Sequence, residues 1–228
     1  MKFAVCLSGQ ARFGSFAFRA LAENLLRGLD CEVFLFLWRL DRQSEDEALA
    51  LAESYIGRHA VIRACSVQKQ IEFQARDYET RIHPGSNVFN IQSMYYSVKM
   101  ANELKVEHEK KVGSRFDCVI RTRVDVSCFA PMDLSVYRSL LGDYVFVPDV
   151  SYYQNGLNDT FAFSSSENMD IAAGLYDRLD DYFRTENIMF NPHIMLNHHL
   201  IKNHIPVAFL SIPAEIVREL PVPRMLEG

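Results

Sequence analysis

The sequence predicts a single α/β domain over residues 1–228, with a mostly parallel central sheet flanked by helices, and three observations carry that prediction. Short runs rich in Val, Phe and Ile recur along the chain, with stretches of helical character between them. The first run, and the second from Val33 onward, are continuously apolar, as a parallel strand covered on both faces requires. Between these two, Phe13, Phe16, Ala17, Ala20, Leu21 and Leu25 recur at three- and four-residue intervals, the stripe of a helix packed on a sheet. With 49% hydrophobic and 23% charged residues, a chain of 228 residues buries one sizeable core.

Phe3–Leu7 reads as the first strand, and Ser8-Gly9-Gln10 after it as a tight polar turn where a glycine lets backbone approach a ligand closely. The striped helix follows Arg12 and ends at Gly28. Cys31–Trp38 is the second strand, and it belongs mid-sheet beside the first. Ser44 and Glu47 have capping-box spacing and start the next helix. Ala60–Val67 is a third strand, and His83-Pro84-Gly85-Ser86-Asn87 is a loop. A helix from about Phe89 to Lys105 puts Ile91, Met94, Tyr95, Val98 and Ala101 on its core face and Asn90, Ser93 and Ser97 on a separate polar stripe. Further strands are expected at Cys118–Ile120, Tyr144–Val147, Thr160–Phe163 and Val207–Ile212. Ser164 with Glu167, and Asn191 before Pro192, mark two more helix starts.

The formal net charge is -5 and no Lys/Arg cluster occurs, so the electrostatic footprint of a nucleic-acid binder is missing. Cys6, Cys31, Cys65, Cys118 and Cys128 are odd in number and form no CxxC pair, which predicts reduced core residues and a cytosolic-type compartment. The N-terminal apolar stretch is too short for a signal peptide, and no run is long enough to cross a bilayer, although association with a membrane surface stays open.

Chemistry concentrates in Asp117-Cys118-Val119-Ile120-Arg121-Thr122-Arg123-Val124-Asp125, where a period of two puts Arg121, Arg123 and Asp125 on one side of a strand. Three charges do not share a dry core, so the strand is expected to emerge at its C-terminal end, where open α/β sheets place their ligand crevice. Forked guanidinium donors suit phosphate oxygens and a carboxylate suits Mg²⁺ or Mn²⁺. The same residues also suit an Arg–Asp–Arg salt bridge that closes the strand end with no ligand. Arg12, between a strand and a helix, can meet a phosphate together with the helix N-terminal amides, or can be an ordinary surface residue. Trp38 and Asp41 sit where a nucleobase can dock, with core packing the alternative for Trp38. Asn90 and Ser93 offer an amide and a hydroxyl to sugar hydroxyls, unless Asn90 serves as a helix cap. Asp159, in Asn158-Asp159-Thr160, is either an Asx-turn residue or a carboxylate able to deprotonate a hydroxyl.

Arg121-x-Arg123-x-Asp125 at a strand end resembles the degenerate DxD position of small GT-A glycosyltransferases found in polysaccharide-biosynthesis loci and in large DNA viruses. Three further pieces are similar to that group: Leu7-Ser8-Gly9-Gln10-Ala11-Arg12, Asn90-x-x-Ser93-Met94-Tyr95-Tyr96-Ser97, and Gly156-Leu157-Asn158-Asp159-Thr160-Phe161-Ala162. The resemblance extends from Phe3 to about Phe183 and is least after Asn191. It implies a GT-A-like fold with a short antiparallel element. It also implies transfer of a hexosyl or deoxyhexosyl unit from a nucleoside-diphosphate sugar to a glycan hydroxyl, in polysaccharide or glycoprotein glycan synthesis. By that resemblance, Ser8, Gly9, Gln10, Arg12, Trp38, Asn90, Ser93, Arg121 and Arg123 hold the nucleotide sugar, and Asp159 is the base that an inverting transfer needs. Asp125 and His193 are then the candidate ligands of Mn²⁺ or Mg²⁺.

The departure from that pattern is that one carboxylate, Asp125, stands where a DxD pair has two. Either it holds Mg²⁺ with donor phosphates and waters, or Arg121 and Arg123 neutralise the leaving diphosphate themselves. His193, His198 and His199 share a helix at spacings that do not align as a zinc pair does, and a solvated histidine is the alternative for His193. The stretch Gln68–Asn87 and the C-terminal tail are expected to shape the acceptor side. Two other classes stay open. A sugar nucleotidyltransferase would carry a glycine-rich, lysine-bearing first loop, which is not seen, and a non-catalytic nucleotide-sugar or glycan-binding domain would tolerate the missing carboxylate.

Overall fold

In chain order the strands are β1 (Phe3–Gln10), β2 (Cys31–Arg39), β3 (Val61–Lys69), β4 (Cys118–Arg123), β5 (Val126–Cys128), β6 (Val145–Pro148), β7 (Phe161–Ser164), β8 (Val207–Leu210) and β9 (Ala214–Ile216). The α-helices are α1 (Phe16–Leu21), α2 (Glu45–Ile56), α3 (Val88–Val112), α4 (Ser166–Ala173), α5 (Leu179–Arg184) and α6 (Pro192–Lys202). These elements belong to a computed structural model that describes residues 1–11, 16–74, 77–84, 86–149 and 155–216.

Each of the apolar runs in the sequence becomes a strand of one sheet, of order β3-β2-β1-β4-β7-β6-β8. β1 to β4 are mutually parallel, β7 runs against both β4 and β6, and β8 is parallel to β6. β1 and β2 are interior, as the apolar runs Phe3–Leu7 and Val33–Trp38 require. Val5, Leu7, Val33 and Leu35 face one core with Phe18, Ala48 and Ile56 of the helices, while Ala4, Cys6, Phe34 and Phe36 face a second core with Ile91, Tyr95, Met169 and Leu196. β5 and β9 form a separate antiparallel pair.

Capping follows the side chains. Ser44 accepts from the Glu47 N–H at 3.1 Å and Glu47 accepts from the Ser44 N–H at 2.7 Å, a complete capping box. Asn191 accepts from the N–H groups of His193 at 3.0 Å and Ile194 at 3.2 Å, with Pro192 opening α6. Ser164 is not a cap. It ends β7 and donates to the carbonyls of Leu141 and Tyr144, and Ser165 caps α4 instead. α3 runs two turns beyond the expected end, until Gly113 at φ 70 lets the chain turn away.

The stripe expected around Phe16 is displaced. Phe16 is 57% exposed, and Phe18, Leu21, Ala22, Leu25 and Leu26 point inward. A π turn over Ala22–Leu26, closed by Arg27 N–H to the Ala22 carbonyl at 2.9 Å, follows α1. Phe13 and the Ala17 side chain lie outside the described residues. All five cysteines are free, and burial pushes Cys6, Cys31, Cys118 and Cys128 up to about 12 and Cys65 up to about 11, so none is a ready nucleophile. Among the described residues, no helix is long and apolar enough to cross a membrane.

Candidate functional site

From β1 the chain winds outward through β2 and β3, then returns to lay β4 on the opposite side of β1. The strand order therefore reverses between β1 and β4, and a crevice opens beyond their C-terminal ends. β7 runs the other way, so the residues that precede it arrive at the same edge. A cleft of about 600 Å³ lies there, walled by the ends of β1, β2 and β4, the start of β7, and the first turns of α3 and α6.

Ser8, Gly9 and Gln10 line this cleft, but as the last residues of β1 rather than a turn, paired with Phe36, Leu37 and Trp38. Gly9 adopts φ 137, and a Cβ there would sit 3.2 Å from Val124 Cγ2, so the glycine admits the β4–β5 connection against β1. Trp38 is both core and cleft wall. It is 2% exposed, stacks on Tyr96 with centroids 5.5 Å apart, and its Nε1 has no partner among the described residues. Asp41 is exposed and does not line the cleft. Arg12 lies outside the described residues.

Asn87, not Asn90, caps α3, accepting from the Asn90 N–H at 3.0 Å. Asn90 is thereby left exposed at the cleft. Ser93 lines the cleft and accepts from Gln70 Nε2 at 3.1 Å, which ties the stretch after β3 to this wall. Ser93 and Ser97 are buried, so the expected polar stripe is not solvent-facing. Ser97 donates to the Met94 carbonyl at 2.7 Å, which lets it turn inward. The Tyr95 hydroxyl donates to the Pro192 carbonyl at 2.7 Å and fixes the start of α6 against α3. Burial, then the nearby Asp159 carboxylate, hold that phenol well above its usual range.

Arg121, Arg123 and Asp125 do not act as one exposed row. Arg121 pairs in register with Cys6 and Ala162, is 5% exposed, and donates through Nη2 to the Asp159 carbonyl. It lies behind the cleft rather than in its wall. Strand periodicity gives the side of a residue and not its depth, and a carbonyl partner allows this guanidinium into the core. Burial lowers its pKa, with Tyr95 and Asp159 opposing that shift. Arg123, at the strand end, does line the cleft, and it grips Asp125 with a two-pronged pair, Nε to Oδ1 at 2.8 Å and Nη2 to Oδ2 at 2.6 Å. Burial alone would lower the Arg123 pKa, but the bonds and charge of Asp125 raise it.

Asp159 is 5% exposed and lines the cleft. The Asx turn in its loop belongs to Asn158, whose Oδ1 accepts from the Thr160 N–H at 2.9 Å and its hydroxyl at 2.6 Å. That division directs Asn158 to the backbone and Asp159 to the cavity. His193 Nδ1 lies 2.6 Å from the Leu157 carbonyl and 3.7 Å from Asp159 Oδ1. A carbonyl only accepts, so Nδ1 carries the proton and a neutral ring has its lone pair on Nε2.

These positions can be tested against a divalent cation. Asp125 and His193 share the cleft, and each oxygen of Asp125 accepts an N–H of Arg123. Among the described residues, no group of three or more His, Cys, Asp and Glu converges to hold an ion. The side chains present do not fit a protein-built cation site. Ser86, Asn87, Ile91, Met94, Val124, Thr160, Pro192 and Ile216 also line the cleft. Their place in the wall follows from the meeting of helix starts and strand ends, which no single stretch of sequence shows.

A search of solved structures finds this fold in the glycosyltransferase GlyE of Streptococcus pneumoniae TIGR4, at a TM-score of 0.50 and 15% sequence identity. The match covers 91% of this chain and 46% of that one, so the chain spans less than half the length of this neighbour. No curated protein matches. Residues 1–220 match the model of one family, and the chain belongs to it: the family described as a domain of unknown function, DUF7796.

Proposed function

We propose that the chain is a glycosyltransferase that moves a hexosyl or deoxyhexosyl unit from a nucleoside-diphosphate sugar to a hydroxyl of a glycan. The observation that carries this reading is the meeting, in one cleft at the ends of parallel strands, of a guanidinium (Arg123), a carboxylate (Asp159) and uncharged hydrogen-bonding groups (Ser8, Asn90, Ser93). The likeness of fold to a glycosyltransferase supports it.

In this reading Arg123 faces the diphosphate, and the ends of β1 and β2 receive the nucleoside beside Trp38. Asn90 and Ser93 bond sugar or ribose hydroxyls. Asp159 takes the proton of the acceptor hydroxyl while that oxygen attacks the anomeric carbon from the side opposite the diphosphate. Arg121, gripping the Asp159 carbonyl, positions the base rather than touching the donor.

Thermal unfolding with a panel of UDP-, GDP- and TDP-sugars tests the reading, because a ligand that binds only the folded chain raises its melting temperature. At least one donor is expected to stabilise the protein and, with a glycan acceptor, to release free nucleoside diphosphate. No response to any donor contradicts the proposal. Pyrophosphate release from a nucleoside triphosphate and a sugar phosphate would assign nucleotidyl transfer instead.

A further inference from the structure

We infer that this cleft binds its donor without a divalent cation, the free edge of the Arg123 guanidinium receiving the charge of the diphosphate; the inference rests on the glycosyltransferase reading above. The pairing with Asp125 uses one edge of the guanidinium, through Nε and Nη2. The remaining N–H groups, on Nη1 and on the outer side of Nη2, form a second fork of the geometry that phosphate oxygens accept. Nη1 meets Met94 Sδ at 4.0 Å, and Met94 lines the cleft, so this second edge lies on the cleft side against a weak acceptor that a phosphate oxygen displaces.

Each Asp125 oxygen already accepts an Arg123 N–H, so a cation there would have only the remaining lone pairs of a carboxylate whose charge is met by a guanidinium. It would also stand beside the Arg123 guanidinium, which holds Asp125 at 2.6 Å. An anion meets the opposite situation, because it can add to the pair without breaking it. Asp125 then acts as a positioning residue that holds Arg123 in one rotamer. As the acceptor oxygen bonds to the anomeric carbon, its proton passes to Asp159. The bond between that carbon and the diphosphate oxygen breaks, and its electron pair leaves with the diphosphate, whose new charge is met by the Arg123 N–H groups.

Calorimetric titration of the wild-type chain with UDP, GDP and TDP, in EDTA and separately in Mn²⁺, provides the test. For the nucleotide that binds, the two Kd values are expected to agree within about threefold, and Arg123→Met to weaken binding by about tenfold or more in both buffers. Should Arg123→Met fail to fold, Asp125→Asn is the second variant: it is expected to bind more weakly, and equally so with and without Mn²⁺. Binding that is more than about tenfold tighter in Mn²⁺, and is lost in EDTA, overturns the inference while leaving the glycosyltransferase reading in place. Absence of binding by all three nucleotides in both buffers overturns that reading itself.

Discussion

Toward its C-terminus α3 buries Lys105 at 0% exposure, with the ammonium bonded to Glu109 at 3.0 Å, to Asp170 at 2.7 Å and to the Ser166 hydroxyl. At its N-terminus the same helix leaves Asn90 and Met94 on a cleft that also holds Arg123, Asp125 and Asp159. β4 connects the two regions, with Phe116 just before its start and Arg123 at its end. In the buried cluster the protein itself supplies the partners. Glu109 accepts from the Phe116 N–H at 2.9 Å and the Ser166 hydroxyl at 2.6 Å, and Asp170 accepts from Asn102 at 2.8 Å and from Arg115. Burial would raise the Glu109 pKa, but those bonds bring it below the ordinary range. At the cleft the charges end on a cavity. Similar side chains are therefore structural where other side chains enclose them and available for binding where a void does.

This contrast can be broken or sharpened by mutation. The largest effect is expected from Asp159→Asn: loss of the proposed base lowers the transfer rate by about 10²–10⁴-fold, while calorimetry still detects nucleotide binding. Unchanged turnover would remove Asp159 from the chemistry. Lys105→Met should cost about 3–5 kcal/mol in denaturant unfolding, because it leaves Glu109 and Asp170 without their buried cation, yet the protein that remains folded should bind nucleotide as before. A neutral result would show that the cluster is less closed than its distances indicate. Gly9→Ala is expected to cost about 1–3 kcal/mol, since it forces a side chain into positive φ against Val124, and Val124→Ala should recover part of the loss.

The smallest effect concerns pH. His199 sits between the Tyr182 hydroxyl and the Ile171 carbonyl, each at 2.7 Å, and burial depresses its pKa below 6.5. The unfolded chain therefore takes up this proton first. The stabilisation is complete above about pH 6.5 and is lost as the pH falls through the depressed folded value. Melting temperatures measured from about pH 7.5 to about pH 5.5 should decline, and His199→Gln should flatten the decline.

The sheet was legible because unbroken apolar runs such as Val33–Trp38 need cover on both faces, whatever the remaining chain does. β5 and β9 were not, since Val126–Cys128 and Ala214–Ile216 are too short for alternation to show and each is ordered only by the other. The exposure of Phe16 and the π turn that follows α1 are features that no spacing rule anticipates. At the site, Arg123, Asp125, Asp159, Asn90 and Ser93 were singled out from their chemistry and His193 from the resemblance, and all six line one cleft. Arg121 was placed with them because alternation carries no information on depth. The pairing of Arg123 with Asp125 was one of the readings that the sequence left open, and only geometry shows that the pair stands in a cavity wall rather than sealing the strand end.

The most direct measurement is a crystal structure of the chain soaked with the nucleoside diphosphate that stabilises it most. The account predicts diphosphate oxygens within hydrogen-bond distance of Arg123 Nη1 and Nη2, with the Arg123–Asp125 pair intact. A nucleotide bound elsewhere, for example in the second cleft of about 500 Å³ beside Glu32, Arg63 and His108, would contradict it.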